Sequence, residues 1–129
     1  MSKTSIRVTQ PRRLPETGPT LRRLGLAMSS SPSPLSIAPY PFPKSSHPKN
    51  AARSVPPLLV PNSTTPAQTL ALLRRLGNSA PGPFFAAGRA GQINAALFAA
   101  ACLAPHHPKI RRALDLFRKR QTSSVPQKP

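Results

Sequence analysis

Residues 12–25 read RRLPETGPTLRRLG, and whether this stretch can fold decides what the first half of the chain is. Two signals overlap in it. LPETG runs from Leu14 to Gly18, and LRRLG, Leu21 to Gly25, returns unchanged at Leu73 to Gly77. Proline fixes φ and removes a backbone donor, so Pro19, together with Gly18, leaves the first LRRLG room for a single helical turn. The stretch therefore reads as part of an unfolded arm.

The composition agrees with that expectation. The chain holds 129 residues with 19 prolines, 5% aromatic residues and no tryptophan. Such a first half has too little apolar surface to offset the entropy of ordering it. The expected fold is a mostly disordered, Pro-rich N-terminal half over residues 1–61, with short α-helices in the C-terminal half and no sheet. Ser29 to Pro61 reads as a stiff polyproline II spacer, and PYPFP (Pro39 to Pro43) offers Tyr40 and Phe42 on a proline frame. LPETG resembles the sorting signal of Gram-positive surface proteins. That signal sits near a C-terminus ahead of an apolar stretch, whereas here most of the chain follows it, so no sorting role is expected.

Helix signals begin at residue 62. Thr65-Pro66-Ala67-Gln68 has the form of a capping box with proline at the first helical position. An amphipathic Leu/Arg helix is expected over 62–78, with Gly77-Asn78 as its stop. On it Leu70, Leu73 and Leu76 form an apolar side and Arg74 and Arg75 turn away. Residues 79–91 carry Gly and Pro breakers and read as a loop. Over 92–121 a helical hairpin is expected: the Ala-rich Gln92 to Ala104, then Pro108 to Gln121. The second helix places Ile110, Leu114 and Phe117 on one narrow stripe. Residues 122–129 read as a tail. The longest apolar run, Ala95 to Ala104, is 10 residues, about half of what a membrane-spanning helix needs.

Charge points to a class of partner. The formal net charge is +17, from 19 Lys and Arg against two acids, Glu16 and Asp115. With so little internal counter-charge, a polyanion is the expected partner, RNA ahead of DNA. The residues expected to contact phosphate are Lys109, Arg111, Arg112, Arg118, Lys119 and Arg120, with Arg74 and Arg75. The apolar set Leu70, Leu73, Leu76, Ile110, Leu114 and Phe117 is expected to dock on a protein partner, a second copy or a membrane surface.

No catalytic pair is visible, because the two carboxylates lie about a hundred residues apart and general acid–base work needs positioned partners. Cys102, His106 and His107 offer a thiol and two imidazoles, but Pro105 separates them and no fourth ligand is evident. No metal, cofactor or catalytic residue is therefore assigned. The expected function is a small, basic, non-enzymatic RNA-binding accessory protein, and the near absence of acids fits a virus-encoded frame. The alternatives are an adaptor working through its Leu/Arg turns and Pro-rich motifs, or an organelle-imported, ribosome-associated protein whose first thirty or so residues form a transit peptide. The expected location is the nucleus or cytoplasm, with the mitochondrion as alternative; no secretion signal is seen.

Overall fold

Ile6 and Val8 are buried while Arg7 between them is exposed, the two-residue period of a strand with one face on a core. The computed structural model describes residues 4–31, 33–41, 56–80 and 82–126. Ser5–Val8 is β1, and it pairs in parallel with β2 (Ala27–Ser29) on one side and β3 (Ser36–Tyr40) on the other. β3 pairs in parallel with β4 (Leu58–Pro61), giving a 4-stranded sheet of order β2-β1-β3-β4. Phe84 adds a parallel bridge to Leu59 beyond β4. The expectations of a disordered N-terminal half and of no sheet are therefore overturned: the protein has an α/β fold, and all four strands of its sheet lie within the first 61 residues.

The prolines that argued against strands sit where a strand does not need their donor. In a parallel ladder alternate residues bond to opposite neighbours. Ile37 accepts from Thr9 N on the β1 side at 2.9 Å, so Pro39 turns its nitrogen to that side too, past the last rung of β1. Leu59 exchanges bonds with Pro83 and Phe85 at 2.8 and 3.0 Å, and Pro61 likewise falls beyond that rung. Both prolines therefore occupy the rim of the ladder. The short link from β2 to β3 has a similar reason. β2 ends with Ser29 opposite Arg7, and β3 begins with Ser36 opposite the same residue. The chain crosses β1 at one level rather than running back its length. Ser33 Oγ donates to the Ser5 carbonyl at 3.0 Å, and Arg7 N to the Leu35 carbonyl at 3.2 Å.

Helix α1 (Thr17–Arg23) occupies the stretch read as unfolded. Pro19 falls in its first turn, where the missing N–H had no intrahelical acceptor anyway. Gly25, at φ 79°, ends it. Leu26 N donates to Leu21 O at 2.9 Å and Gly25 N to Arg22 O at 3.1 Å, the paired bonds of a Schellman stop, with Leu21 and Leu26 both buried as its apolar clasp. The second LRRLG lies inside α2 (Pro66–Ser79), which runs through Gly77. There Asn78 stands where Leu26 stands after the first copy, so no apolar clasp is available. α2 instead stops at Ala80, held extended at ψ 128° ahead of Pro81. At its start, Thr65 Oγ1 accepts from Gln68 N at 3.2 Å, and Gln68 Oε1 reaches back to Thr64 N at 3.0 Å.

α3 (Arg89–Leu103) and α4 (Pro108–Ser124) follow, joined through a single 3-10 turn at Ala104–His106. The residues of α3 that are buried are small: Gly91, Ala95, Ala96, Ala99 and Ala100. Its larger Phe98 stays at the surface, edge-on to Phe85 at 5.6 Å. One sheet face, Ile6, Val8, Ile37, Leu58 and Val60, packs in a common core with α1, α3 and α4. The opposite face, Ala38, Tyr40 and Leu59, is covered by Leu72 and Leu76 of α2.

The expected docking residues are largely consumed by this packing. Leu76 (1% exposed), Ile110 (4%) and Leu114 (3%) are core residues. Phe117 packs against the main core, Leu73 is half-buried, and Leu70 remains exposed. Phe42 and Pro43 of the PYPFP motif, and the last three residues of the tail, lie outside the described residues. Truncating a buried leucine removes its transfer energy and leaves a cavity. Leu114→Ala should therefore lower the unfolding free energy by about 3 kcal/mol, measured by urea denaturation; a loss near zero would return Leu114 to the surface.

Candidate functional site

In a parallel sheet every strand ends on the same edge, and each helix that follows a strand begins there. Where the strand order reverses, neighbouring connections leave on opposite faces and open a crevice, which is where open α/β sheets take their ligands. Here the reversal falls between β1 and β3. α1 follows β1, α2 follows β4, and α3 follows the rung at Phe84, so these helices aim their N-terminal, partially positive ends at this edge.

Gln10 stands at the end of β1. It is the non-glycine residue with positive φ among the described residues, at φ 48° and ψ 61°. Its side-chain Oε1 is buried and has no hydrogen-bond partner. The chain then makes one 3-10 turn, Pro11–Arg13, which leaves Arg12 and Arg13 exposed. At the end of β3, Tyr40 is buried beneath the Arg75 guanidinium, 5.7 Å from the ring centre, and its carbonyl accepts from Asn62 N at 2.8 Å. β4 leads into Ser63, Thr64 and Thr65, whose side of the edge forms a cleft with Thr69, Leu73 and Gly88.

The starts of α1 and α3 are tied together across 75 residues of sequence. Glu16 N donates to Gln92 Oε1 at 2.9 Å, and Thr17 Oγ1 donates to the Gln92 carbonyl at 3.1 Å. Thr17 is fully buried, so its hydroxyl requires such a partner. Arg89 Nε lies 3.6 Å from Glu16 Oε1; both side chains are exposed enough that this pair adds little stability. A Cβ on Gly91 would run into the Ala86 carbonyl, which makes glycine obligatory in this first turn of α3.

The residues expected to bind phosphate are not gathered into one surface. Lys109, Arg111, Arg112, Arg118, Lys119 and Arg120 are exposed on α4, on the side of the sheet that carries α1 and α3. Arg74 and Arg75 are exposed on α2, which covers the opposite face. Cys102 and His106 are exposed, and among the described residues no three His, Cys, Asp or Glu side chains come together as a metal site. Among the same residues no helix is long and apolar enough to cross a membrane. Sequence reasoning missed Gln10, Thr17 and Gln92. Nothing in the local pattern marks Gln10; Gln92, one polar side chain opening an alanine-rich helix, was the one visible signal.

No protein-family model matches the chain. Two curated proteins do resemble part of it. One is the bifunctional purine synthesis protein purC/E of Dictyostelium discoideum, 54% identical over 44 residues, which are 34% of this chain and 4% of that protein. The other is the N5-carboxyaminoimidazole ribonucleotide mutase of Brucella melitensis, 52% identical over 44 residues, 34% of this chain and 27% of the mutase. The chain thus spans about a quarter of the mutase and a small part of the bifunctional protein. Relatives named as enzymes of purine synthesis, together with the parallel α/β fold, overturn the expectation of a non-enzymatic, disordered, virus-encoded RNA-binding protein, and with it the RNA partner.

Gln92→Ala leaves the Glu16 amide without its acceptor in a part-buried position. It should cost about 1–2 kcal/mol, and hydrogen exchange at the Glu16 amide should quicken beyond what that global loss explains. Equal protection in both proteins would show that the bond does not hold α1 to α3.

Proposed function

We propose that this chain is an α/β unit of a purine-synthesis enzyme, binding an aminoimidazole ribonucleotide across the carboxyl edge of its sheet and acting on it as the mutase does. The observation that carries this is the 52% identity over 44 residues to N5-carboxyaminoimidazole ribonucleotide mutase, a level of agreement that unrelated chains of biased composition do not reach over such a length. The geometry supports it. A ribonucleotide brings a phosphate, and an N-carboxy group adds a second anionic group. Arg12 and Arg13 follow directly on β1 at the reversal point, and helix N-termini converge on the same edge. Fixed dipoles and cations of this kind favour anions without base-specific contacts.

The charge that first suggested RNA suits a small anion equally well. The two differ in what they demand of the surface: a polyanion needs a continuous basic track, whereas a nucleotide needs a few cations beside a concave site. The sheet separates the basic residues of α2 from those of α4, which favours the second. Titration with aminoimidazole ribonucleotide, followed by isothermal calorimetry, should show saturable binding that inorganic phosphate displaces. Replacing both Arg12 and Arg13 by Ala should weaken it about thirtyfold, since two charge-assisted contacts on the order of 1 kcal/mol each are lost. No heat at millimolar nucleotide, or no effect of the double substitution, would overturn this site.

A further inference from the structure

A buried polar atom without a partner is rare in a folded protein, and each instance asks what fills it. Gln10 Oε1 is the buried side-chain nitrogen or oxygen atom among the described residues with no hydrogen bond. The residue is also held left-handed, at φ 48° and ψ 61°, a conformation glutamine adopts at a cost and that concentrates at functional positions. Orphaned oxygen and strained backbone fall on one residue, which follows β1 by two positions at the point where the strand order reverses. Neither feature helps the protein fold. A leucine would remove the unpaired atom, and a glycine would remove the strain.

We infer that Gln10 is held in this state for a ligand, and that its Oε1 accepts a hydrogen bond from an N–H or O–H donor on the nucleoside part of the nucleotide. This rests on the ribonucleotide reading above and adds the orientation of the molecule. An amide oxygen carries partial negative charge and repels a phosphate, so the anionic end does not lie on Oε1. The exposed cations next in sequence, Arg12 and Arg13, take that end. The sugar hydroxyls and the ring amino group are the donors left to meet Gln10. The ligand therefore lies along the turn Gln10–Arg13, nucleoside over the strand end and phosphate over the arginines.

Two variants test this, each with binding and melting as readouts. Gln10→Leu deletes the acceptor at similar size, and Gln10→Gly deletes it and relaxes the backbone. Both should bind aminoimidazole ribonucleotide about tenfold more weakly than the parent, the usual consequence of losing one hydrogen bond to an otherwise satisfied donor. Their affinity for inorganic phosphate, which meets only the arginines, should not change. Gln10→Leu should melt no lower than the parent, and Gln10→Gly about 3–6 °C higher. Unchanged nucleotide affinity in both variants overturns the role of Gln10 while leaving the ribonucleotide site in place. A fall in melting temperature for Gln10→Leu of several degrees also overturns it, because the oxygen would then be serving the fold. Failure of the parent protein itself to bind the nucleotide overturns the ribonucleotide reading, and the donor assigned here falls with it.

Discussion

Only a hydrogen atom fits between the α-carbon of Gly91 and the carbonyl of Ala86. That close approach is what lets the chain turn from the sheet edge at Phe84 directly into α3. The buried side chains further along α3 are all alanines, so the helix comes down close to α1 and to the sheet along its length. In its first turn Gln92 accepts from both the Glu16 amide and the Thr17 hydroxyl. The large side chains that fill the core come from elsewhere, chiefly Leu14, Leu21, Leu24 and Leu26 around α1 and Ile6 and Ile37 in the sheet. An alanine-rich helix contributes closeness, and the leucines contribute buried area. Dense interiors need both, because a void between two helices forfeits dispersion contacts that no other term replaces.

The helical part of this arrangement left marks in the sequence, and the sheet left few. The Thr65 cap, the Ala-rich run after Gln92 and the stripe of Ile110, Leu114 and Phe117 each follow from local chemistry over three or four turns. Strands of three to five residues give no such length: Ala27–Ser29 carries no usable alternation, and Ser36–Tyr40 contains a proline. Proline was weighed by count, whereas its effect depends on which side of the ladder its nitrogen faces. Pro39 and Pro61 fall where no donor is required, and Pro19 falls in a first helical turn. The two LRRLG copies make the same point about context. Five identical residues end one helix and continue another, because Leu26 can reach back to the core and Asn78 cannot. The functional edge was less legible still, since Gln10 and Gln92 lie far apart in sequence and acquire meaning only from the order of the strands.

Charge misled for a different reason. A net charge of +17 looks incompatible with a compact chain if the cations are imagined in mutual contact. Among the described residues they fall in separate groups. The basic residues of α4 spread around its outer faces, those of α2 lie across the sheet, and Arg12 and Arg13 stand at a third place. Separated by a core's width, exposed charges repel weakly at physiological ionic strength, where the Debye length is about 8 Å. A core of this kind, with buried leucine, isoleucine, valine and alanine from every layer, contributes more than that repulsion removes. Net charge states what the solvent and partners meet; it does not decide whether the chain folds.

What separates Arg12 and Arg13 from the other cations is therefore position, not strength. An arginine on the outside of α4 faces water, and any anion it attracts exchanges freely. At the carboxyl edge the same side chain follows the end of β1, on the edge where α1, α2 and α3 begin and where the strand order reverses. The parallel topology creates that concurrence before any residue is chosen for function. A strand of any sequence would end there, and a helix would begin there. The choice of residue enters afterwards, in what is placed at the strand end. Here that residue is Gln10, whose conformation and unpaired oxygen both work against stability and whose replacement by glycine or an aliphatic residue would be the simpler solution for a protein that only had to fold.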